Sequence, residues 1–308
     1  MDFLSALGLG QTALELGLVY SLVALALFLS YSMLNVCDLS TDGCFILGGA
    51  VGGVLAMAGY PLLSIPAAML AGLCSGFITA FLQTRMGIDS LLAGIIVNTG
   101  LYSVNMAIMG SNLNLFKTST VFTMAKDALA GTPLSGQSML LVVLCIVALV
   151  IALLVAFLKT KLGLAIRATG DNPDMVRSSS ISPIFTTTVG LCLSNALTAL
   201  AGCLLAQSQK SLDIKDGTGV LTIALASLLI GRTLMGKGPL SVRAMGMVVG
   251  SVLFRLIYAI ALRFDMPTSM LKLVSSVIVV LAIFLPYLKD RAPELSRRIK
   301  GRKEGTSC

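Results

Sequence analysis

Histidine and tryptophan are both absent from this 308-residue chain, and charged residues make up only 12% of it, where soluble proteins carry roughly a quarter. Without histidine, imidazole acid–base chemistry and Ser-His-Asp arrangements are excluded. The seven cysteines include no Cys-x-x-Cys pair, and Cys74, Cys145, Cys192 and Cys203 sit inside apolar runs, so neither a zinc centre nor a disulfide framework is expected. No Gly-x-x-x-x-Gly-Lys-Ser/Thr occurs, which excludes a P-loop and any nucleotide bound through one; no cofactor or metal is expected in this chain. Lysine and arginine are missing before Arg85, while Asp2 and Glu15 are present, the reverse of the basic start of a secretory leader. The first apolar segment is therefore expected to stay.

What is present is apolar: 56% hydrophobic residues and a mean hydropathy of +0.94. The expected fold is an all-α, polytopic membrane protein. Apolar windows near 20 residues fall at Leu14–Leu34, Gly43–Tyr60, Leu62–Gln83, Ile88–Gly110, Ser138–Leu158, Ile184–Gln207, Gly217–Met235, Leu240–Leu262 and Ser269–Leu288, about nine spans with a tenth left open. Residues 1–288 form the membrane domain and 289–308 a basic tail. That tail holds Lys289, Arg291, Arg297, Arg298, Lys300, Arg302 and Lys303, seven of the cations behind the net charge of +8. Directly after an apolar span, they point to anionic membrane lipid on the cytoplasmic side rather than to nucleic acid. With the tail inside, Arg85, Lys159, Lys161, Arg167, Arg177, Arg232, Lys237 and Arg243 share its side. Lys117, Lys126, Lys210, Lys215 and Arg263 fall outside, a bias that agrees with a plasma-membrane protein of this polarity.

A repeat emerges once the spans are drawn. Asp42-Gly43, Gly72 and Gly76 recur 174 positions later as Asp216-Gly217, Gly246 and Gly250, with the steps Pro61-Leu62 and Pro239-Leu240 in matching places. Five spans separate the copies, so the halves 14–110 and 184–288 are expected to be inverted repeats, a transporter device that places the route between them. The stretch Asn35 to Gly43 carries two acids, two hydroxyls and no cation, and it resembles backbone dipping into a protein-lined cavity more than a lipid-facing loop. Asp213 to Thr218 should dip likewise from the other side. Polar groups at span depth either bond between helices or face a route. Asp38, Thr41, Asp42, Gly43, Asn98, Asn195, Asp216 and Gly217 are the candidates for the route, while Asn105, Ser194 and Gln207 also sit at that depth. Arg255 is expected to snorkel towards its end of the span.

The loop 159–183 is a polar island. Asn172 suits an N-cap, Pro173 the first helical position and Asp174 the first turn, which predicts a helix of about 8 residues running to Ser180, about 12 Å long and obliged to dock on something.

The run Leu34-Asn35-Val36-Cys37-Asp38-Leu39-Ser40-Thr41-Asp42-Gly43 and the segment AIRATGDNPDMVR (165–177), with the spans around them, resemble permease subunits of ATP-binding-cassette importers of the branched-chain amino acid and ribose type. Asp-Leu-Ser-Thr-Asp-Gly is most similar to single-permease systems for amino acids, aromatic ones included. The resemblance covers Gln11 to Leu288. It implies that Arg167, Gly170, Asp171, Asn172, Pro173, Asp174, Met175, Arg177 and Ile181 belong to a coupling helix seated on a cytoplasmic ATPase that uses the ATP. It also implies a permease homodimer and an extracellular or lipid-anchored substrate-binding protein. At Ser180 the family pattern calls for glycine. The alternative from a different class is a proton- or sodium-coupled carrier with Asp38, Asp42, Asp213 and Asp216 as ion ligands; an enzyme is disfavoured because no nucleophile is paired with a base. The few charges at span depth disfavour sugar phosphates and leave amino acid, nucleoside and sugar as solutes.

Overall fold

The computed structural model describes residues 3–262, apart from 111, 129, 131–136 and 237, together with isolated positions between 273 and 284. Eleven α-helices account for nearly all of it: α1 (Phe3–Leu27), α2 (Thr41–Met57), α3 (Pro61–Thr84), α4 (Ser90–Met109), α5 (Val121–Ala128), α6 (Ser138–Lys159), α7 (Lys161–Asp171), α8 (Pro173–Ser178), α9 (Pro183–Gln209), α10 (Val220–Met235) and α11 (Leu240–Leu262). A two-stranded antiparallel ribbon, β1 (Asn112–Asn114) with β2 (Ser211–Asp213), pairs Leu113 with Leu212. Among the described residues seven helical segments are long and apolar enough to cross a membrane, and α2, at 17 residues, is a shorter apolar helix. The expected span Ser269–Leu288 lies largely outside the described residues. Its few described positions are helical, and Val279 packs against Ala226 of α10 and Phe254 of α11.

Helices α1 and α9 form the axis of the bundle. In the most apolar stretch of α9 83% of residues are buried, against 22% in α6, so α6 belongs to the outer ring and presents Leu144, Leu149 and Leu153 outward. Lipid is as apolar as leucine, so close packing rather than water exclusion must hold such a bundle together. The seam of α2 with α9 shows how: a Cβ at Gly48 would overlap the Ala199 backbone, and one at Gly202 would overlap the Phe45 carbonyl.

The pairings fix direction. Contacts 48 to 199 and 52 to 203 rise together, so α2 and α9 are parallel. Ser194 donates to the Ala26 carbonyl at 2.8 Å and Leu34 lies beneath Gly190, which makes α1 antiparallel to α9. Ser251 donates to the Gly17 carbonyl at 2.8 Å and Arg243 to Ser32 Oγ at 3.3 Å, so α11 is antiparallel to α1. Gly231 lies against Gly246 and Ser227 against Gly250, so α10 is antiparallel to α11. It follows that α2 and α10 run in opposite directions. The guanidinium of Arg255, expected to snorkel, instead lies over the Tyr20 ring at 3.8 Å, a cation–π contact that keeps the charge against the bundle.

Candidate functional site

The α1 helix widens into a π-helical turn, Phe28–Met33, and the chain then leaves helical geometry at Asn35, whose φ is +57°, a conformation Asn tolerates because its short side chain can bond locally. Residues 35–40 are irregular. Their depth is given by Asp38, whose Oδ2 accepts from Asn195 Nδ2 at 2.7 Å, near the middle of the 27-residue α9. Irregular backbone at that depth must find its partners inside the protein, and it does. Asp38 Oδ1 accepts from the Ser40 N–H at 2.8 Å and the Ser40 hydroxyl at 2.6 Å, and Thr41 Oγ1 donates to the Asp38 carbonyl at 2.9 Å. Asp38, Thr41 and Asn195 are all buried; they form the support below the surface of the site.

Above this support α2 begins, and its first turn meets the start of α10. Asp42 Oδ1 accepts from Leu221 N–H at 2.8 Å and Oδ2 from Gly219 N–H at 3.1 Å, so a carboxylate from one acidic turn caps the helix that follows the other, where negative charge is favourable. Both helices are short, 17 and 16 residues, against about 20 for a full span. Their N-termini meet within the bundle and their axes diverge. Helix α4 closes the junction: Asn98 Oδ1 accepts from the Gly43 N–H at 2.7 Å and Asn105 Nδ2 donates to the Gly43 carbonyl at 2.9 Å. A cleft of about 100 Å³ opens there, lined by Asp42, Gly43, Ile46, Asn98, Tyr102, Asn105, Ile214, Gly217 and Thr218.

Of the eight candidate route residues, Asp42, Gly43, Asn98 and Gly217 thus come together. Asp216 does not line the cleft; its Oδ2 accepts from the Asp213 N–H at 2.9 Å while Asp213 accepts from Lys215 N–H at 2.8 Å, a reciprocal cap of the 3-10 turn Ile214–Gly217. Asn105 and Tyr102 line it without having been singled out for the route. The available signal was spacing, since Asn98 and Asn105 are two helical turns apart and therefore share a face. Gly43 is helical rather than positive in φ; what it requires is room, since a Cβ there would sit 2.6 Å from Asn98 Oδ1.

At the end of the bundle where α1 finishes, the polar island folds as two helices. The first, α7, was not expected; it holds Arg167, Gly170 and Asp171 and starts at Thr160, whose hydroxyl accepts from the Gly163 N–H. Gly170 lies tight on the Met33 and Leu34 backbone, and Thr169 and Thr186 share a 2.7 Å hydroxyl bond to α9. The expected N-cap is present: Asn172 Oδ1 accepts from the N–H groups of Asp174 and Met175, both at 3.1 Å, and Pro173 opens α8. That helix ends at Ser178, short of the expected Ser180, because the chain turns there: Ser180 adopts φ +60° and Ile181 N–H returns to the Val176 carbonyl at 3.2 Å. Val176 is buried, whereas Met175 is 60% and Ile181 39% exposed, with Asp174 and Arg177 beside them.

Residues 11–283 match the family model of the branched-chain amino acid transport system permease component. The chain is similar to the tyrosine transport system permease protein of Clostridioides difficile, at 32% identity over 85% of this chain and 86% of that one. It is also similar to the probable branched-chain amino acid transport permease LivH of Methanocaldococcus jannaschii, at 29% over 71% and 73%, and to the inner membrane ABC transporter permease YjfF of Escherichia coli, at 26% over 72% and 74%. No solved structure matches the chain.

Proposed function

The chain belongs to the family of branched-chain amino acid transport permease components, and from that premise we propose that it carries an amino acid through the cleft between α2, α4 and the 3-10 turn Ile214–Gly217 that precedes α10, while α8 receives the ATPase stroke. Membership makes it the multi-pass translocation subunit of an ATP-binding-cassette importer. ATP is hydrolysed on a separate cytoplasmic chain, a substrate-binding protein delivers the solute, and the ion-coupled carrier is set aside. The amino-acid reading follows the names of the relatives, tyrosine and branched-chain transport among them.

The observation that carries the coupling reading is the exposed pair of Met175, on an N-capped helix too short to stand alone in water, and Ile181, just past its end. Gly170 against Met33 and Leu34, and Thr169 bonded to Thr186 of α9, seat the preceding α7; Arg167 and Asp171 on α7 belong to the same proposed coupling region, and Asn172, Pro173, Asp174 and Arg177 shape and charge the exposed side of α8. Two inverted repeats are supported by reciprocal packing, because α3 lies on α9 and α11 on α1. They are supported also by the opposed α2 and α10, whose N-termini meet as broken helices do in transporters. A homodimer, a cytoplasmic basic tail against anionic lipid and nine spans complete the proposal.

In the complex reconstituted with its ATPase and binding protein, Met175→Asp with Ile181→Asp should cut the stimulation of ATP hydrolysis by loaded binding protein at least fivefold, with the permease still inserted. Full stimulation in that variant would sink the coupling assignment.

A further inference from the structure

Asn98 and Asn105 each spend one arm of their amide on the same peptide unit. Because a peptide N–H only donates and its carbonyl only accepts, the bonds to Gly43 fix both amides: Asn98 presents Oδ1 and Asn105 presents Nδ2. The opposite arms are left over. Asn98 Nδ2 makes no hydrogen bond among the described residues, and Asn105 Oδ1 is buried without a partner on a residue only 1% exposed. Both residues line the cleft; Asn98 has a spare donor, and the spare acceptor of Asn105 is buried in the wall. Asp42 is the only carboxylate among the cleft's described lining residues; each carboxylate oxygen accepts one backbone N–H and keeps further lone-pair capacity.

A solute that fits must bring a positive donor for Asp42 and Asn105 and, close beside it, an acceptor for Asn98. An α-amino acid carries both on one carbon. A neutral sugar or nucleoside brings no charge for Asp42, and a simple organic acid is repelled by it. Resting on the amino-acid route proposed above, we infer that the two asparagines read the amino-acid head group, Asn105 Oδ1 with Asp42 taking the ammonium and Asn98 Nδ2 the carboxylate. Buried polar groups held for an absent partner give strong discrimination, since a ligand lacking the matching group leaves them unpaired.

The variant Asn98→Asp separates this role from a structural one. It keeps an oxygen for the Gly43 N–H and replaces the spare donor with a second carboxylate oxygen. Binding would be followed by saturation-transfer NMR on the permease–ATPase complex in nanodiscs, without binding protein, using L-tyrosine, its decarboxylated analogue tyramine and its deaminated analogue 3-(4-hydroxyphenyl)propionate. The native complex should favour L-tyrosine over either analogue about tenfold, and Asn98→Asp should invert the order so that tyramine binds best. Should that variant not assemble, Asn105→Leu must weaken L-tyrosine and tyramine while sparing the propionate. The same order of ligands in native and variant complexes, or no binding to the native one, overturns the inference. ATP-driven uptake of a mixture of the twenty ¹⁴C-labelled amino acids by the native importer tests the underlying reading by itself: uptake with an unchanged ligand order removes only the asparagine assignment, and absent uptake removes the amino-acid route.

Discussion

Ser180 is where a single side chain works against its backbone. Its φ of +60° lies in the left-handed region, which costs a residue with a Cβ about 1–2 kcal/mol and glycine far less. Nothing about the serine compensates in the fold, as it is exposed and the return bond from Ile181 to Val176 uses only backbone. Ser180→Gly should therefore tighten the end of α8 by about 1 kcal/mol, read as slower amide hydrogen exchange at Ser179 to Ile181; unchanged or faster exchange there would contradict it. The sequence already flagged this position, since the family pattern calls for glycine, but the reason became visible only as a dihedral angle. Gly43 teaches the converse. Its importance was legible, and whether it served φ or close approach was not, because the Asn98 oxygen that crowds it comes from a helix 55 positions away.

At the scale of elements, local chemistry was legible and tertiary support was not. The Asn172–Pro173–Asp174 cap could be read from three residues because all its partners lie within one turn. By contrast α7 escaped notice: its buried face, Gly163, Ile166 and Thr169, is narrow and interrupted by polar residues, and it is stabilised by α1 and α9 rather than by its own propensity. The outer helix α5 depends on distance in the same way. Thr120 and Thr123 cap it reciprocally, and Gln207 of α9 accepts from the Val121 N–H at 2.9 Å while its Nε2 donates to Ser64 Oγ at 2.7 Å. Gln207→Leu leaves that N–H buried without an acceptor, a loss of about 1–3 kcal/mol. Exchange at Val121 to Ala128 should accelerate on the order of tenfold, with the centre of α9 unaffected; protection unchanged at Val121 would show that the cap is held by the threonines alone.

For the molecule as a whole, the alternating use of parallel and antiparallel seams makes topology a consequence of packing. The π-helical turn that continues α1 ends beside α7, at Gly170, and α9 starts from that same end; α2, parallel to α9, finishes at the opposite end, where β1 and β2 pair and where Leu115 N–H bonds the Lys210 carbonyl at 2.8 Å. The ribbon and α8 therefore lie at opposite poles. The bias of lysine and arginine assigns the α8 pole to the cytoplasm, an inference from composition that the packing neither needs nor supplies. Two single-cysteine permeases, Asn114→Cys and Ser179→Cys, made in a background freed of the native cysteines, test both steps together in intact cells with a membrane-impermeant maleimide. Asn114 and Ser179 are exposed on the permease, and with the permease expressed without its ATPase, which would cover α8, reagent access rather than burial decides the outcome. Label should reach position 114 from outside and position 179 only after the membrane is opened. Labelling of both from outside would contradict the opposite poles and with them the chain of helix directions, whereas the reverse pattern would keep the fold and overturn only its orientation, moving the proposed coupling helix to the side where no ATPase resides.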